Sequence, residues 1–213
     1  MDTERTAQER ESQRIERLWG GEFGAQYTRR NLKAGETRES FWRAILGKYQ
    51  ARSVLEVGCN LGANLGWIAP LVGPSRVWGV DINRDALKLM HKNIVGVGAA
   101  MAAARLLPFR GGQFDLVFTM GVLIHQPPPA LPSVMAEIVR CSSRYILCGE
   151  YYSEQTVEVP YRGQSGALFK RDFGGTYQEL WPDLSLREKG FLSREQGFDD
   201  MTYWVFEKPG GGR

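Results

Sequence analysis

The chain has 213 residues, 43% apolar and 24% charged, with a formal net charge of +3, enough for one domain whose core needs neither disulfides nor metal. Its basic residues are scattered, which argues against nucleic-acid binding as its main task. The charged start is not that of a secretory signal, no apolar run approaches the roughly 18 residues of a membrane span, and three widely spaced cysteines, Cys59, Cys141 and Cys148, fit a reducing compartment and no zinc site. A cytoplasmic protein without a metal is expected.

Residues 4–18 predict a polar helix in which Ile15 and Leu18 are the only large apolar side chains before Trp19. Residues 19–31, WGGEFGAQYTRRN, are glycine-rich and aromatic, as in a segment that moves and orders on binding. Phe41, Trp42, Ile45, Leu46 and Tyr49 recur at helical spacing and predict a helix packed on a sheet. Strands and helices then alternate. A strand at 53–57 precedes a helix at 62–71; a strand at 76–82 precedes a helix at 84–94 with Asn83 as its N-cap. The alanine-rich 98–104 is a weak strand, equally compatible with helix. A strand at 114–120, a helix near 131–139 and a strand at 144–150 follow.

Such alternation predicts a parallel sheet covered by helices on both faces, with right-handed crossovers. Residues 184–191 and 201–208 read as two further strands, an antiparallel pair closing the sheet, and the tail 209–213 as disordered. One domain over 1–208 is expected.

The turn Gly58-Cys59-Asn60-Leu61-Gly62 leaves the first strand where doubly wound sheets bind ligands. It is not a dinucleotide fingerprint, because Asn60 takes the place of the middle glycine and the third is missing; nor does Gly-Lys-Ser/Thr follow, so it is no P-loop. Glu56, two residues before Gly58, repels a diphosphate and suits a ligand that carries a cation. Asp81 ends the next strand, where a carboxylate accepts both hydroxyls of a ribose.

E-x-G-x-N-x-G followed by an acid at the end of the second strand resembles the class I S-adenosylmethionine-dependent methyltransferases, as do LPF at 107–109 and FDLVFTMGVLIH at 114–125. The resemblance implies a Rossmann-like α/β fold: a seven-stranded, mostly parallel sheet with one antiparallel strand near the C-terminal end. It implies that Gly58, Asn60 and Gly62 bend around the methionine part of the cofactor, with Glu56 on its ammonium or a water. Asp81 then holds the ribose and Ile82 lies against the adenine. Cys59 and Asn64 on the turn, Leu106 beside Arg105, and Met120 and Gly121 after the fourth strand complete the implied cofactor set, and the product is S-adenosylhomocysteine. Two departures stand out: Asn60 for the commoner glycine, tolerable because asparagine adopts the left-handed conformation, and no Asp or Asn after the third strand for the adenine amino group. WGGEFGAQYTRRN, LEVGCNLGANL, FTMGVLIH, VEVPYRGQSGALFKRDF and DDMTYWVFEK together resemble the pseudaminic acid biosynthesis-associated methylase group.

Methyl transfer from a sulfonium needs alignment and desolvation, worth about 7–11 kcal/mol, more than a base, worth about 10²–10⁴-fold. His125, just past the fourth strand, is either a base for the acceptor or a ring packed beside the adenosine; His91 belongs to a surface helix. Tyr151 and Tyr152 end the fifth strand and point to opposite faces, so one of them is expected at the acceptor. Tyr161, Arg162, Lys170 and Arg171 lie in a glycine-containing loop, where they either recognise a carboxylate or phosphate or face solvent. Phe23, Tyr27 and Asn31 are spaced as one helical face, a lid whose Tyr27 and Asn31 reach the cofactor, or an aromatic anchor. The expected activity is methyl transfer to oxygen or nitrogen of a small, anionic, sugar-related or secondary-metabolic acceptor. Three alternatives stand beside it: an RNA or protein methyltransferase, a nicotinamide-dependent oxidoreductase, and a cofactor-binding partner subunit without catalysis.

Overall fold

The computed structural model describes residues 2–32 and 37–210. Its strands are β1 (Val54–Val57), β2 (Val77–Asp81), β3 (Gly98–Met101), β4 (Phe114–Met120), β5 (Ser142–Glu150), β6 (Val157–Glu158), β7 (Phe169–Lys170), β8 (Ser185–Leu192) and β9 (Met201–Glu207). The helices are α1 (Asp2–Gly20), α2 (Glu22–Arg30), α3 (Glu39–Tyr49), α4 (Leu65–Val72), α5 (Arg84–Asn93), α6 (Leu131–Cys141) and α7 (Phe173–Leu180). A seven-stranded sheet runs in the order β3-β2-β1-β4-β5-β9-β8. Strands β1 to β5 pair in parallel. β9 lies between β5 and β8 and is antiparallel to both, so the expected closing pair is present and one strand of the seven is reversed.

Strand periodicity sorts the core into two halves. Val54, Leu116, Phe118, Tyr145 and Leu147 face α3, α4 and α5, and the predicted Phe41–Tyr49 stripe is buried there, with Trp42 against Phe118. Leu55, Val57, Val117, Ile146 and Cys148 face α6 and α7 on the other side. The sheet grows from β1 through β2 to β3, then restarts on the far side of β1 with β4. The crevice at the carboxyl ends of β1 and β4 is therefore the switch point.

Four local differences from the sequence expectations have physical causes. α4 begins at Leu65 rather than at 62 because Gly62 has φ of +74°, which no right-handed helix contains. The ambiguous 98–104 segment is an edge strand only as far as Met101, paired to β2. Residues 19–31, a glycine-rich aromatic segment in the sequence, are mostly one helix, α2, from Glu22 to Arg30. α7 and the β6/β7 hairpin were not anticipated: two-residue strands carry no periodicity, and α7 shows only Phe173 and Tyr177 at i, i+4 behind an Asp172 cap that accepts from Gly175 N. Of the expected tail, 211–213 lie outside the described residues.

Candidate active site

The turn after β1 enters left-handed backbone at every second residue: Gly58 at φ +75°, Asn60 at +46° and Gly62 at +74°. A Cβ on Gly58 would stand 2.4 Å from Val122 Cγ2, so only glycine lets β4's exit approach this closely. Gly58 N and Cys59 N both donate to Val80 O, at 2.7 and 2.9 Å. Asp81 takes the next amide: Asn60 N donates to Oδ2 and Asn83 N to Oδ1, each at 2.8 Å. Burial pushes the Asp81 carboxyl up, and these amides pull it back. Asn83 caps α5 as expected, accepting from Asp85 N and Ala86 N, and its Nδ2 also reaches Trp19 O at 3.3 Å.

Glu56 is buried behind this turn. Its Oε1 accepts from Asn64 Nδ2 at 2.6 Å, whereas Oε2 has no partner among the described residues. Asn64 is fixed in turn by Arg38 Nη1 at 2.9 Å and Trp42 Nε1 at 3.2 Å, both donating to its Oδ1. Burial raises the Glu56 carboxyl to about 8 despite the Asn64 hydrogen bond and the Arg38 charge. A buried carboxylate left one bond short costs stability unless a cation or donor completes it.

Both features open into one cavity of about 930 Å³. α1 and α2 roof it and are tied to its walls: Arg14 Nη2 donates to Gly166 O at 2.7 Å, Arg105 pairs with Glu16 at 2.6 Å, and Thr28 Oγ1 donates to Asn60 Oδ1 at 2.8 Å. Trp19 packs edge-on against Phe23 and Tyr27; its ring centroid lies 4.3 Å from that of His125, and the Tyr161 centroid lies 5.4 Å from it. His125 is buried, with Nδ1 at 2.6 Å from Ala167 O. A carbonyl only accepts, so Nδ1 carries the proton and Nε2 the lone pair. Burial lowers the imidazole to about 4 and keeps it neutral at pH 7.

Of the residues singled out from sequence, Tyr27, Asn31, Glu56, Gly58, Cys59, Asn60, Asn64, Asp81, Ile82, Met120, Gly121, His125, Tyr151, Tyr161 and Arg162 line this cavity. Five do not. Gly62 shapes the turn from behind, facing Met90 and Ile94. Leu106 projects into solvent and its amide is taken by Ala103 O; Ala102, Ala104 and Arg105 line the wall there. Tyr152 points to the opposite face from Tyr151, against Trp204 and under Lys189. Lys170 is exposed beside the Tyr151 ring, and Arg171 is buried between Phe169 and Phe173. The basic loop therefore contributes Arg162, with Tyr161 under its guanidinium, and not a cluster of three cations. Asn31 spends its amide on Tyr27 O, which caps α2. His91 is exposed on α5, as expected.

Sequence reasoning passed over Trp19, Arg38, Asp199 and Glu150. The first three line the cavity from segments distant in sequence, so no local pattern brings them to the site. Glu150 left a signal: an acid ending the apolar run RYILCGE, fully buried in the structure. Among the described residues no group of acids, histidines and cysteines could hold a metal ion, and no helix is long and apolar enough to cross a membrane.

The methyltransferase-domain family matches residues 54–144. An uncharacterised Haemophilus influenzae protein is 30% identical over 128 residues, 57% of this chain and 51% of its own length. A tRNA U34 carboxymethyltransferase from Alcanivorax borkumensis is 37% identical over 98 residues, 41% of this chain and 30% of its own. The chain thus spans about half or less of the length of these curated relatives. Among solved structures, the Synechocystis magnesium protoporphyrin IX methyltransferase with bound S-adenosylmethionine superposes with a TM-score of 0.68 at 12% identity, covering 93% of this chain and 97% of that one. The described chain has the Rossmann-like fold of class I methyltransferases, and its segment 54–144 matches the methyltransferase domain.

Proposed function

We propose that this protein is an S-adenosylmethionine-dependent methyltransferase acting on oxygen or nitrogen of a small, anionic, sugar-related acceptor. The observation that carries the reading is the pairing of Glu56, whose buried Oε2 lacks a partner, with Asp81 on a glycine turn that opens into the same cavity. The residues present fit the cofactor. Glu56 would meet its ammonium, Asp81 would offer lone pairs to the two ribose hydroxyls, and Ile82 would supply an apolar face for the adenine. When bound, S-adenosylmethionine supplies an electrophilic methyl group attached to a cationic sulfur.

The chain itself then has three tasks. The α1–α2 roof acts as a lid that excludes water, held by Arg14, Glu16 and Thr28. Tyr151, Tyr161 and Arg162 orient the acceptor; burial pushes the Tyr151 hydroxyl up to about 12, so it serves as a neutral hydrogen-bond donor. Nε2 of His125 takes the proton that an acceptor hydroxyl or amine loses. Burial lowers the imidazole to about 4 and so keeps that lone pair free at pH 7.

The anionic acceptor rests on Arg162, a lining cation with no carboxylate partner among the described residues, and on the resemblance to methylases associated with a carboxylated sugar. Incubating the protein with methyl-labelled S-adenosylmethionine and a panel of carboxylated and nucleotide-linked sugars, beside total RNA and protein, tests it. Label is expected in the sugar fraction, and Arg162→Ala is expected to raise KM by about tenfold, the loss of one charge-assisted hydrogen bond. Label confined to RNA or protein would overturn the small-acceptor reading.

A further inference from the structure

We propose that Glu150 is the positioning residue for His125: its carboxylate holds the backbone bend on which the imidazole is mounted, and so sets the tautomer and reach of that ring. The chain leaves β4 in a bend from Gly121 to a short 3-10 turn, Leu123–His125. Gly121 N donates to Gly149 O at 2.8 Å. The next three amides all point at one side chain: Val122 N and Leu123 N donate to Glu150 Oε1 at 3.3 and 3.1 Å, and Ile124 N to Oε2 at 3.1 Å. Thr119 Oγ1 adds a fourth bond to Oε1 at 2.9 Å. His125 N then closes the turn on Val122 O at 3.0 Å.

Four donors converging on a fully buried group leave little choice of side chain. A carboxylate only accepts and has about four lone-pair sites, whereas an amide of the same length would aim its own N–H groups at donors. Burying that charge without a cation is costly, and burial raises the Glu150 carboxyl to about 7. The cost falls on a segment that forms one wall of the cavity: Met120, Gly121, Val122, Ile124 and His125 all line it. Ala167 O fixes the ring through Nδ1, and Glu150 fixes the backbone that presents the ring to Ala167. Neither anchor alone defines where Nε2 points.

The thiol and phenol groups near this network stay neutral. Cys148 on β5, Tyr151 beyond it and Tyr177 on α7 are each held up by burial, with Glu150 adding to the effect, and Asp172 at the α7 N-cap acts on Cys148. Trp19 and Tyr161 pack on the His125 ring.

Side-chain ¹⁵N–¹H spectra test the proposal in the full chain, because it has only two histidines, His91 and His125. At pH 7 the wild-type His125 is expected to show the Nδ1–H tautomer. In Glu150→Gln it is expected to show mixed tautomers, with its titration midpoint raised by about one pH unit or more as water reaches the ring, while His91 is unchanged. A folded Glu150→Gln chain whose His125 keeps the wild-type tautomer and midpoint overturns the proposal. Where that variant fails to fold, Thr119→Val, which removes one of the four donors, is expected to move His125 in the same direction by less, and an unmoved ring there overturns it too. The assignment rests on reading this cavity as a methyl-transfer site. The spectrum needs neither cofactor nor acceptor, so failure of cofactor binding and failure of the Glu150 assignment are separate results.

Discussion

Replacing Asp81 with alanine is expected to weaken S-adenosylhomocysteine binding by about 100-fold or more. The carboxylate serves two structures at once. It takes the Asn60 and Asn83 amides, which holds the left-handed turn against the end of β2, and it offers its remaining lone pairs to the ribose. A hydrogen bond to a charged group contributes about 1.5–3 kcal/mol, and about 1.4 kcal/mol corresponds to a factor of ten, so losing two ribose bonds gives that loss before any distortion of the turn. Calorimetry measures the affinity, and the melting temperature without ligand measures the structural part. An Asp81→Ala chain that melts lower yet binds as tightly as wild type would reduce Asp81 to a turn anchor.

Glu56→Gln is expected to stabilise the fold at alkaline pH while impairing ligand binding. Glu56 is raised from 4.5 to about 8 by burial, so between those values the unfolded chain is ionised where the folded chain is not. The contribution of this group is therefore fully present below about pH 4.5 and is lost as pH rises through 8, to the extent of a few kcal/mol. Glutamine keeps the shape and has no charge to bury. Its melting temperature at pH 8–9 is expected to exceed that of wild type by several degrees, with the advantage shrinking towards pH 5. Binding runs the other way. A ligand ammonium requires the ionised carboxylate, so wild-type affinity for S-adenosylhomocysteine should rise with pH up to about 8, and Glu56→Gln should bind about 10–100-fold more weakly with no such rise. Equal affinity for the two proteins would place the ammonium elsewhere.

The legible part of this molecule was what local chemistry dictates. β4 runs over the predicted 114–120, Asn83 caps α5, and the Phe41–Tyr49 stripe is buried because each follows from spacing within a dozen residues. Asn60 stands in the left-handed conformation expected of an asparagine in a glycine's place. What stayed hidden depends on distance along the chain. The roof of the cavity joins Trp19, His125 and Tyr161, three segments whose meeting is set by the crossovers and not by any string. The basic loop misled for a related reason. Tyr161, Arg162, Lys170 and Arg171 are close in sequence, but the chain turns between them and buries Arg171 among phenylalanines. Glu150 was readable as a lone acid in an apolar strand, and its meaning came only with the four donors around it.

The most direct test of the central claim is calorimetric titration of the purified chain with S-adenosylhomocysteine, run beside NAD under the same conditions. The turn at Gly58–Gly62, the unpartnered Glu56 oxygen and Asp81 together predict saturable binding of S-adenosylhomocysteine at one site per chain with micromolar affinity, and no binding of NAD. Binding of NAD alone, or of neither ligand, would contradict the account.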